Sequence, residues 1–183
     1  NLEDSDLSDW HKTVTDMIQQ RREIETGDSE KHFGPLILDL SSIVDSCKVK
    51  YNSWINQFLQ KFVEVTNNQC NDFFQDLSQS RLSLENVTFD GSTHDATSAV
   101  TVVSDVQVKS RVWSVDMDDF RIALKFLERQ LLNSNKLPFD WINIERLDGE
   151  FDAFCQILSR NVDKMQIQIP GLKSSLEEQS RLV

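Results

Sequence analysis

One apolar stripe constrains the fold of this chain more than any other feature. Between positions 44 and 84 an apolar side chain recurs every three or four residues, if Gln69 and Ser80 fill two gaps. The average step is about 3.6 residues, which is the period of an α-helix. Neither Gly nor Pro interrupts the segment, so it predicts one helix over about 42–86. Such a helix, roughly 65 Å long, needs packing partners along its length. The stripe consists of Val44, Cys47, Tyr51, Trp54, Phe58, Phe62, Val65, Phe73, Leu77 and Leu84.

Three other segments repeat the helical period. They predict helices over about 7–25, 95–134 and 139–169, and Pro170-Gly171 is expected to kink or end the last of these. Residues 172–183 then form a further short helix. The start of the third segment is rich in Val and would also suit a strand. A helix is favoured because its 4-3 spacing continues unchanged into "FRIALKFLERQLL", as in coiled coils.

Turn-forming residues are scarce, with five Gly and three Pro in 183 residues. Pro35 prevents a helix across "HFGPLILDL", and "PLILDL" is interpreted as an extended connector. The predicted fold class is all-α. We expect an elongated antiparallel bundle of three long helices plus a shorter N-terminal helix, formed by 1–183 as a single fragment.

The stretch "LPFDWINIERLDGEFDAF" mixes acidic and aromatic side chains. On a helix its large apolar side chains line one face while Glu145, Asp148 and Asp152 step along another. We therefore interpret the stretch as one buried and one solvated face rather than an acidic catalytic site.

Two groups of apolar residues are distinguished. The predicted structural core is Tyr51, Trp54, Phe58, Phe62, Phe73, Trp113, Phe120, Leu127, Trp141, Phe151 and Phe154. Apolar residues off the main stripes are expected either to form a second buried stripe or to dock a partner. These candidates for partner docking are Ile55, Leu59, Phe74, Phe126, Phe139 and Ile142.

No motif for catalysis or cofactor binding is found. His11, His32 and His94 are solitary, and neither HExxH nor a Gly-rich phosphate loop is present. Cys47, Cys70 and Cys155 are widely spaced and are predicted to be small buried hydrophobes of a reduced cytosolic protein. We predict no catalytic, cofactor-binding or metal site.

Charge and hydropathy exclude further classes of function. A formal net charge of −11 disfavours binding to nucleic acid and to anionic membranes. No apolar run is long enough to span a bilayer, and no amino-terminal signal segment is found. The absence of an initiator Met suggests a piece of a longer protein.

Four stretches, in order, resemble the tail (stem) of cytoplasmic dynein heavy chains. "HFGPLILDL" leads into "VKYNSW", with Tyr51, Ser53 and Trp54 in register with a family motif. "SQSRLSLE" and "LPFDWINIERLDGEFDAF" resemble two later motifs, and the helix carrying Trp10 fits as well. The resemblance extends over nearly the whole chain.

The resemblance implies a scaffold segment of a minus-end-directed microtubule motor in the cytoplasm, associated with the cytoskeleton. The ATP-hydrolysing ring and the contact with microtubules would lie elsewhere in the parent chain. Implied partners are the dynein light intermediate chain, the intermediate chain, a second heavy chain, dynactin and cargo adaptors. The light intermediate chain is the partner we expect to dock nearest this region.

Two alternatives remain from the residues alone. A secreted four-helix cytokine-like ligand would account for the bundle, the acidic charge and the Asn86 glycosylation sequon, and predicts a disulfide. A spectrin-like cytoskeletal repeat fits the helix lengths but not the Phe-Gly-Pro connector.

Overall fold

The computed structural model describes residues 6–27, 29–89, 93–131 and 137–181. The elements follow in the order α1 (Leu7–Thr26), β1 (Glu30–Phe33), β2 (Leu36–Asp39), α2 (Ser41–Glu85), α3 (Thr93–Leu131) and α4 (Ile144–Arg181). The predicted all-α class is confirmed, and the helices within these ranges are consistent with a helical bundle. The Val-rich start of α3 is helical and not a strand. The last residues of the predicted third helix, 132–134, lie outside the described residues.

The chain divides into two compact units. Unit 1 comprises Asn1–Asn68 and Asp119–Trp141, and unit 2 comprises Gln69–Asp118 and Ile142–Val183. Both α2 and α3 contribute to each unit. Each unit has its own aromatic cluster, described separately below.

The core of unit 1 is built around Trp10 and Phe62. Their rings are stacked with centroids 6.0 Å apart, and Phe58 lies 6.1 Å from Trp10. Phe126 of α3 lies 6.3 Å from Phe62 and meets the edge of His11 at 4.5 Å. Offset and tilted aromatic pairs of this kind add to the free energy gained from burial alone. Three helices therefore converge on Phe62, which is fully buried.

The direction of α1 in unit 1 follows from two contacts. Trp10 packs on Phe62 near one end of α1, and Tyr51 donates a hydrogen bond of 3.2 Å to Gln20 near the other. Because the order of the contacts is reversed on α2, α1 runs antiparallel to it.

The core of unit 2 centres on Trp113. Its ring lies 5.8 Å from Phe73 of α2 and 5.4 Å from Phe154 of α4. Ser104 lies 3.9 Å from the sulfur of Met165, so α3 and α4 run antiparallel. Leu77, Leu84 and other aliphatic side chains that are fully buried fill the space around the rings.

Two polar contacts join α2 and α4 in unit 2. Arg81 donates a hydrogen bond of 2.6 Å to Glu150 and also pairs with Glu85. Hydrogen bonding to Glu150 raises the pKa of the Arg81 guanidinium above its ordinary value. Asn161, which is buried, donates a bond of 2.7 Å to the Leu84 carbonyl. That carbonyl is among the last four of α2, which have no partner within the helix.

α4 begins later than the sequence predicted. Asn143 accepts a hydrogen bond of 2.9 Å from the backbone N–H of Arg146, so it caps a helix that starts at Ile144 rather than near 139. The preceding residues form a turn in unit 1. There Asp140 accepts a bond of 3.2 Å from Asn67, and the Trp141 indole donates one of 3.4 Å to Glu128. These side-chain hydrogen bonds fix Asp140 and Trp141 in the turn, although the hydrophobic pattern alone assigned both residues to the helix.

The helix does not end at Pro170-Gly171, because α4 continues through Pro170 to Arg181, so residues 172–181 belong to α4 and not to a separate short helix. Proline removes the hydrogen bond to the carbonyl four residues earlier, which here belongs to Gln166. Both Gln166 and Pro170 are exposed, so water can satisfy that carbonyl. The cost of the proline is thereby reduced.

The two-faced interpretation of residues 137–154 agrees with the burial along α4. Leu147, Phe151 and Phe154 are buried, whereas Glu145 and Asp152 are exposed. The predicted polar face is not wholly solvated, since Asp148 is half-buried. Glu150, on another side of the helix, is half-buried where it pairs with Arg81.

The burial pattern of α2 predicts different effects for two aromatic positions. Phe62→Ala is expected to lower the free energy of unfolding by about 3–5 kcal/mol, because it opens a cavity beneath Trp10. Trp54→Ala, at a residue that is 44% exposed, should cost under about 2 kcal/mol. Urea denaturation followed by circular dichroism measures both. Equal losses for the two variants would contradict the assignment of Phe62 to the core.

Candidate interaction surfaces

The three histidines are well separated along the chain and have different surroundings. His11 packs against Phe126, His32 is exposed on β1, and His94 is exposed at the start of α3, 3.9 Å from Asp95. Within the described ranges no group of three or more His, Cys, Asp or Glu side chains is placed to hold a metal ion.

The three cysteines are free thiols in three different environments. Cys70 is buried, and loss of solvent raises the pKa of its thiol to about 12. Cys155 is half-buried, and burial, followed by the nearby Asp152 carboxylate, raises its pKa. Cys47 is exposed, which corrects the prediction that all three are buried. The reason is that the first turns of α2 have an open outer face, where Ile43 and Val49 are also exposed.

Thiol labelling tests the differences in exposure and pKa among the three cysteines. Only thiolates attack alkylating reagents, so at mildly alkaline pH Cys47 should react fastest, Cys155 more slowly and Cys70 only after denaturation. Iodoacetamide labelling followed by peptide mass spectrometry measures the three rates. Native labelling of Cys70 as fast as that of Cys47 would show that α2 is not packed as described.

The predicted core residues fall into three groups. Phe62, Phe73, Phe120, Leu127, Phe151 and Phe154 are buried. Tyr51, Phe58, Trp113 and Trp141 are half-buried. Trp54 differs from the prediction, because it is 44% exposed and its ring contact is with Tyr51 of its own helix, at 5.5 Å.

Most of the predicted docking residues turn out to be internal. Ile55, Leu59 and Ile142 are buried, and Phe74 and Phe126 are half-buried. The Arg146 guanidinium lies 4.7 Å from the centroid of the Phe74 ring, a cation–π contact. Ile55 and Leu59 thus follow the first of the two expectations for this set, a second buried stripe on a helix with two neighbours, and not the alternative of partner docking. Phe139 alone in this set is fully exposed, in the turn before α4.

A β-hairpin in unit 1 carries an exposed apolar surface that the sequence did not predict. β1 and β2 pair antiparallel, with Phe33 opposite Leu36 and Lys31 opposite Leu38. Gly34, at φ 63°, and Pro35 form the two-residue turn, in which a positive φ at the first position suits the twist of the strands. The extended connector of the prediction is thus one strand of a hairpin.

One face of the hairpin is apolar and open to solvent. Because paired residues share a face, Phe33, Leu36 and Leu38 lie on the same side, and they are 63%, 65% and 45% exposed. A two-stranded hairpin is marginally stable by itself, so an exposed apolar face of this kind is suited to contact with another surface.

A second exposed surface follows α3 in unit 2. Val108, Val112 and Val115 are 66%, 60% and 63% exposed, and their spacing of four and three places them in one row. Val108 and Val112 border a cleft of about 480 Å³ between α2 residues 76–83 and α3 residues 108–113, here named the valine groove, and Val115 continues the row beyond the cleft. The signal was present in the sequence, since Val108, Val112 and Val115 repeat the spacing of four and three beside the buried series.

Known proteins similar to this chain are cytoplasmic dynein heavy chains. Those of Drosophila melanogaster and Dictyostelium discoideum are 29% and 28% identical to it over 179 residues, and that of Caenorhabditis elegans is 27% identical over 178 residues. Each match covers 97% of this chain and 4% of the relative, so the chain spans a small part of the relatives' length. No protein-family model matches. The resemblance indicated by the sequence motifs is confirmed.

None of the helices within the described ranges combines the length and the apolar character that a membrane crossing requires.

Proposed function

We propose, from the similarity to cytoplasmic dynein heavy chains, that this chain is a non-catalytic scaffold segment of a dynein tail. In this role it transmits force between the motor and its cargo in the cytoplasm. The observation that carries the proposal is the match over 97% of the chain to several such heavy chains. The parent motor would hydrolyse ATP and bind microtubules through other parts of its polypeptide.

The packing supports a mechanical role. Long helices resist bending when side chains from neighbouring helices interlock along them, because bending must then separate packed rings as well as strain the backbone. In unit 1 the Trp10–Phe62–Phe126 cluster links three helices, and in unit 2 Trp113 links α3 to α2 and α4. A segment built in this way transmits load without a large change in its internal contacts.

The open apolar surfaces support a role in assembly. The apolar hairpin face and the valine groove are exposed, and burial of such side chains is the main source of binding free energy at protein interfaces. Among the possible partners, we propose that the dynein light intermediate chain docks nearest this region. The intermediate chain, a second heavy chain, dynactin and cargo adaptors would also be held through the tail.

The cysteines do not support the alternative of a secreted ligand. That alternative predicts a disulfide, whereas all three cysteines are free and Cys70 is deeply buried.

The scaffold role can be tested in the full heavy chain by disrupting both cores. Phe62→Asp together with Phe154→Asp buries a carboxylate in each unit and should unfold the segment locally. We expect lower recovery of the light intermediate chain in co-purification and loss of cargo transport, with the ATPase activity of the motor unchanged. Ile167→Asp, at a side chain that is 77% exposed, is the matched control and should behave like the wild type.

Two results would contradict the proposal in different ways. An equal loss of ATPase activity would show that the segment is not separate from catalysis. If the light intermediate chain is fully retained while transport is lost, this segment does not bind that chain, and only the mechanical role remains supported.

A further inference from the structure

We infer that the valine groove of unit 2 is a docking site for a basic amphipathic helix supplied by a separate polypeptide. The inference rests on the side chains of α2 and α3 alone and does not depend on the proposed place of the chain in a dynein tail.

The apolar row of the groove has the spacing that a helix recognises. Val108, Val112 and Val115 step by four and three, which is the seam of a two-stranded helical interface. The other apolar seam of α3 packs inside the protein, since Val103, Val106 and Met117 are buried. Short branched side chains in the exposed row allow the backbone of a second helix to approach closely. An incoming helix with apolar residues at the same spacing would fit against this row.

The opposite wall of the groove is polar. It is formed by Asp76, Gln79, Ser80 and Ser83 of α2. These side chains offer hydrogen-bonding groups to the polar flank of a helix that lies on the valines. An amphipathic partner, apolar on one side and polar on the other, matches the two walls.

The charges around the groove favour a basic partner. Asp76 lines the α2 wall, Asp72 lies exposed one turn before it, and Asp105 lies exposed one turn before Val108 in the apolar row. Within the lining, Lys109 balances Asp76, and Arg111 is exposed beside Val112. The acidic excess therefore comes from Asp72 and Asp105 at the margins of the groove. The whole chain carries a formal charge of −11, so its long-range field also attracts a positively charged helix.

Asp105 makes a second copy of this chain a poor occupant. A parallel, in-register pairing of two such rows would place Asp105 against the same residue of the copy. An antiparallel pairing that layers Val108 on Val112 would place Asp105 against Val115. The first arrangement opposes like charges, and the second buries a carboxylate against an aliphatic side chain. A partner with Lys or Arg at the matching position avoids both.

Binding of a designed peptide tests the inference. The probe is a fluorescent helical peptide with Leu at the a and d positions of three heptads and Lys at the flanking positions. A matched peptide carries Glu in place of Lys. Fluorescence anisotropy on the intact chain should show binding of the Lys peptide, weaker binding at high salt, and no binding of the Glu peptide.

Val112→Asp separates recognition by the groove from non-specific attraction. The substitution makes the surface more acidic, so a purely electrostatic contact with the Lys peptide would strengthen. Docking on the valine row predicts instead a rise in Kd of roughly tenfold or more. Val49→Asp is the control, because Val49 is 70% exposed on α2 in unit 1 and the new charge is the same. Circular dichroism should show all the variants folded, since both valines are exposed.

Several outcomes would overturn the inference. These are equal binding of the Lys and Glu peptides, no binding of either, or equal effects of Val112→Asp and Val49→Asp. If sedimentation shows that the wild type is a dimer and that Val112→Asp is a monomer, the groove is occupied by a second copy. In the full heavy chain, a photo-crosslinker at position 112 should capture a segment of a separate polypeptide, and peptide mass spectrometry should identify that segment as a basic amphipathic helix. Capture of another segment of the same chain would show that the groove is filled internally.

Discussion

Burial of one side chain per turn along α2 is the constraint on which the rest of the structure depends. A helix of 45 residues cannot be held by intrinsic propensity, so each turn must gain free energy from a neighbour. From Ile55 to Leu84 that neighbour is present, because Phe62, Phe73, Leu77 and Leu84 of the stripe are buried and Phe58 and Val65 are half-buried. Before Ile55 the outer face of the helix is open. These first turns, where Ile43, Val49 and Trp54 are exposed, are where this requirement is not met within the described residues.

Each unit satisfies the requirement with an aromatic cluster of its own. Phe62 in unit 1 and Trp113 in unit 2 each contact rings from two other helices or helical segments. Rings are suited to this task because one rigid side chain covers a large area at a small cost in conformational entropy. In unit 2 the buried Asn161 side chain is paired through its bond to the Leu84 carbonyl. If the segment bears load, as proposed, this aromatic packing would resist deformation of each unit.

The sequence predicts the helices well because their period is long and regular. The stripe of α2 and the seam of α3 each specify a helix to within a few residues. Helix ends are predicted less well, since the start of α4 depends on Asn143 and on bonds from Asp140 and Trp141 to other segments. Exposure is predicted least well. Trp54 and Ile55 are adjacent and both apolar, and only the position of the neighbouring helices decides that Ile55 is buried and Trp54 is not.

The same reasoning explains why a binding surface is harder to read from sequence than a core. Val103 and Val108 belong to two interleaved 4-3 series on one helix, and the series are told apart only by which one a neighbour covers.

Hydrogen exchange followed by mass spectrometry tests the central claim, that tertiary burial holds α2, most directly. Backbone amides from 55 to 84 should exchange slowest, and those from 41 to 54 much faster, because all the buried side chains of α2 lie in the former range. Uniform exchange along α2, whether fast or slow, would contradict this account.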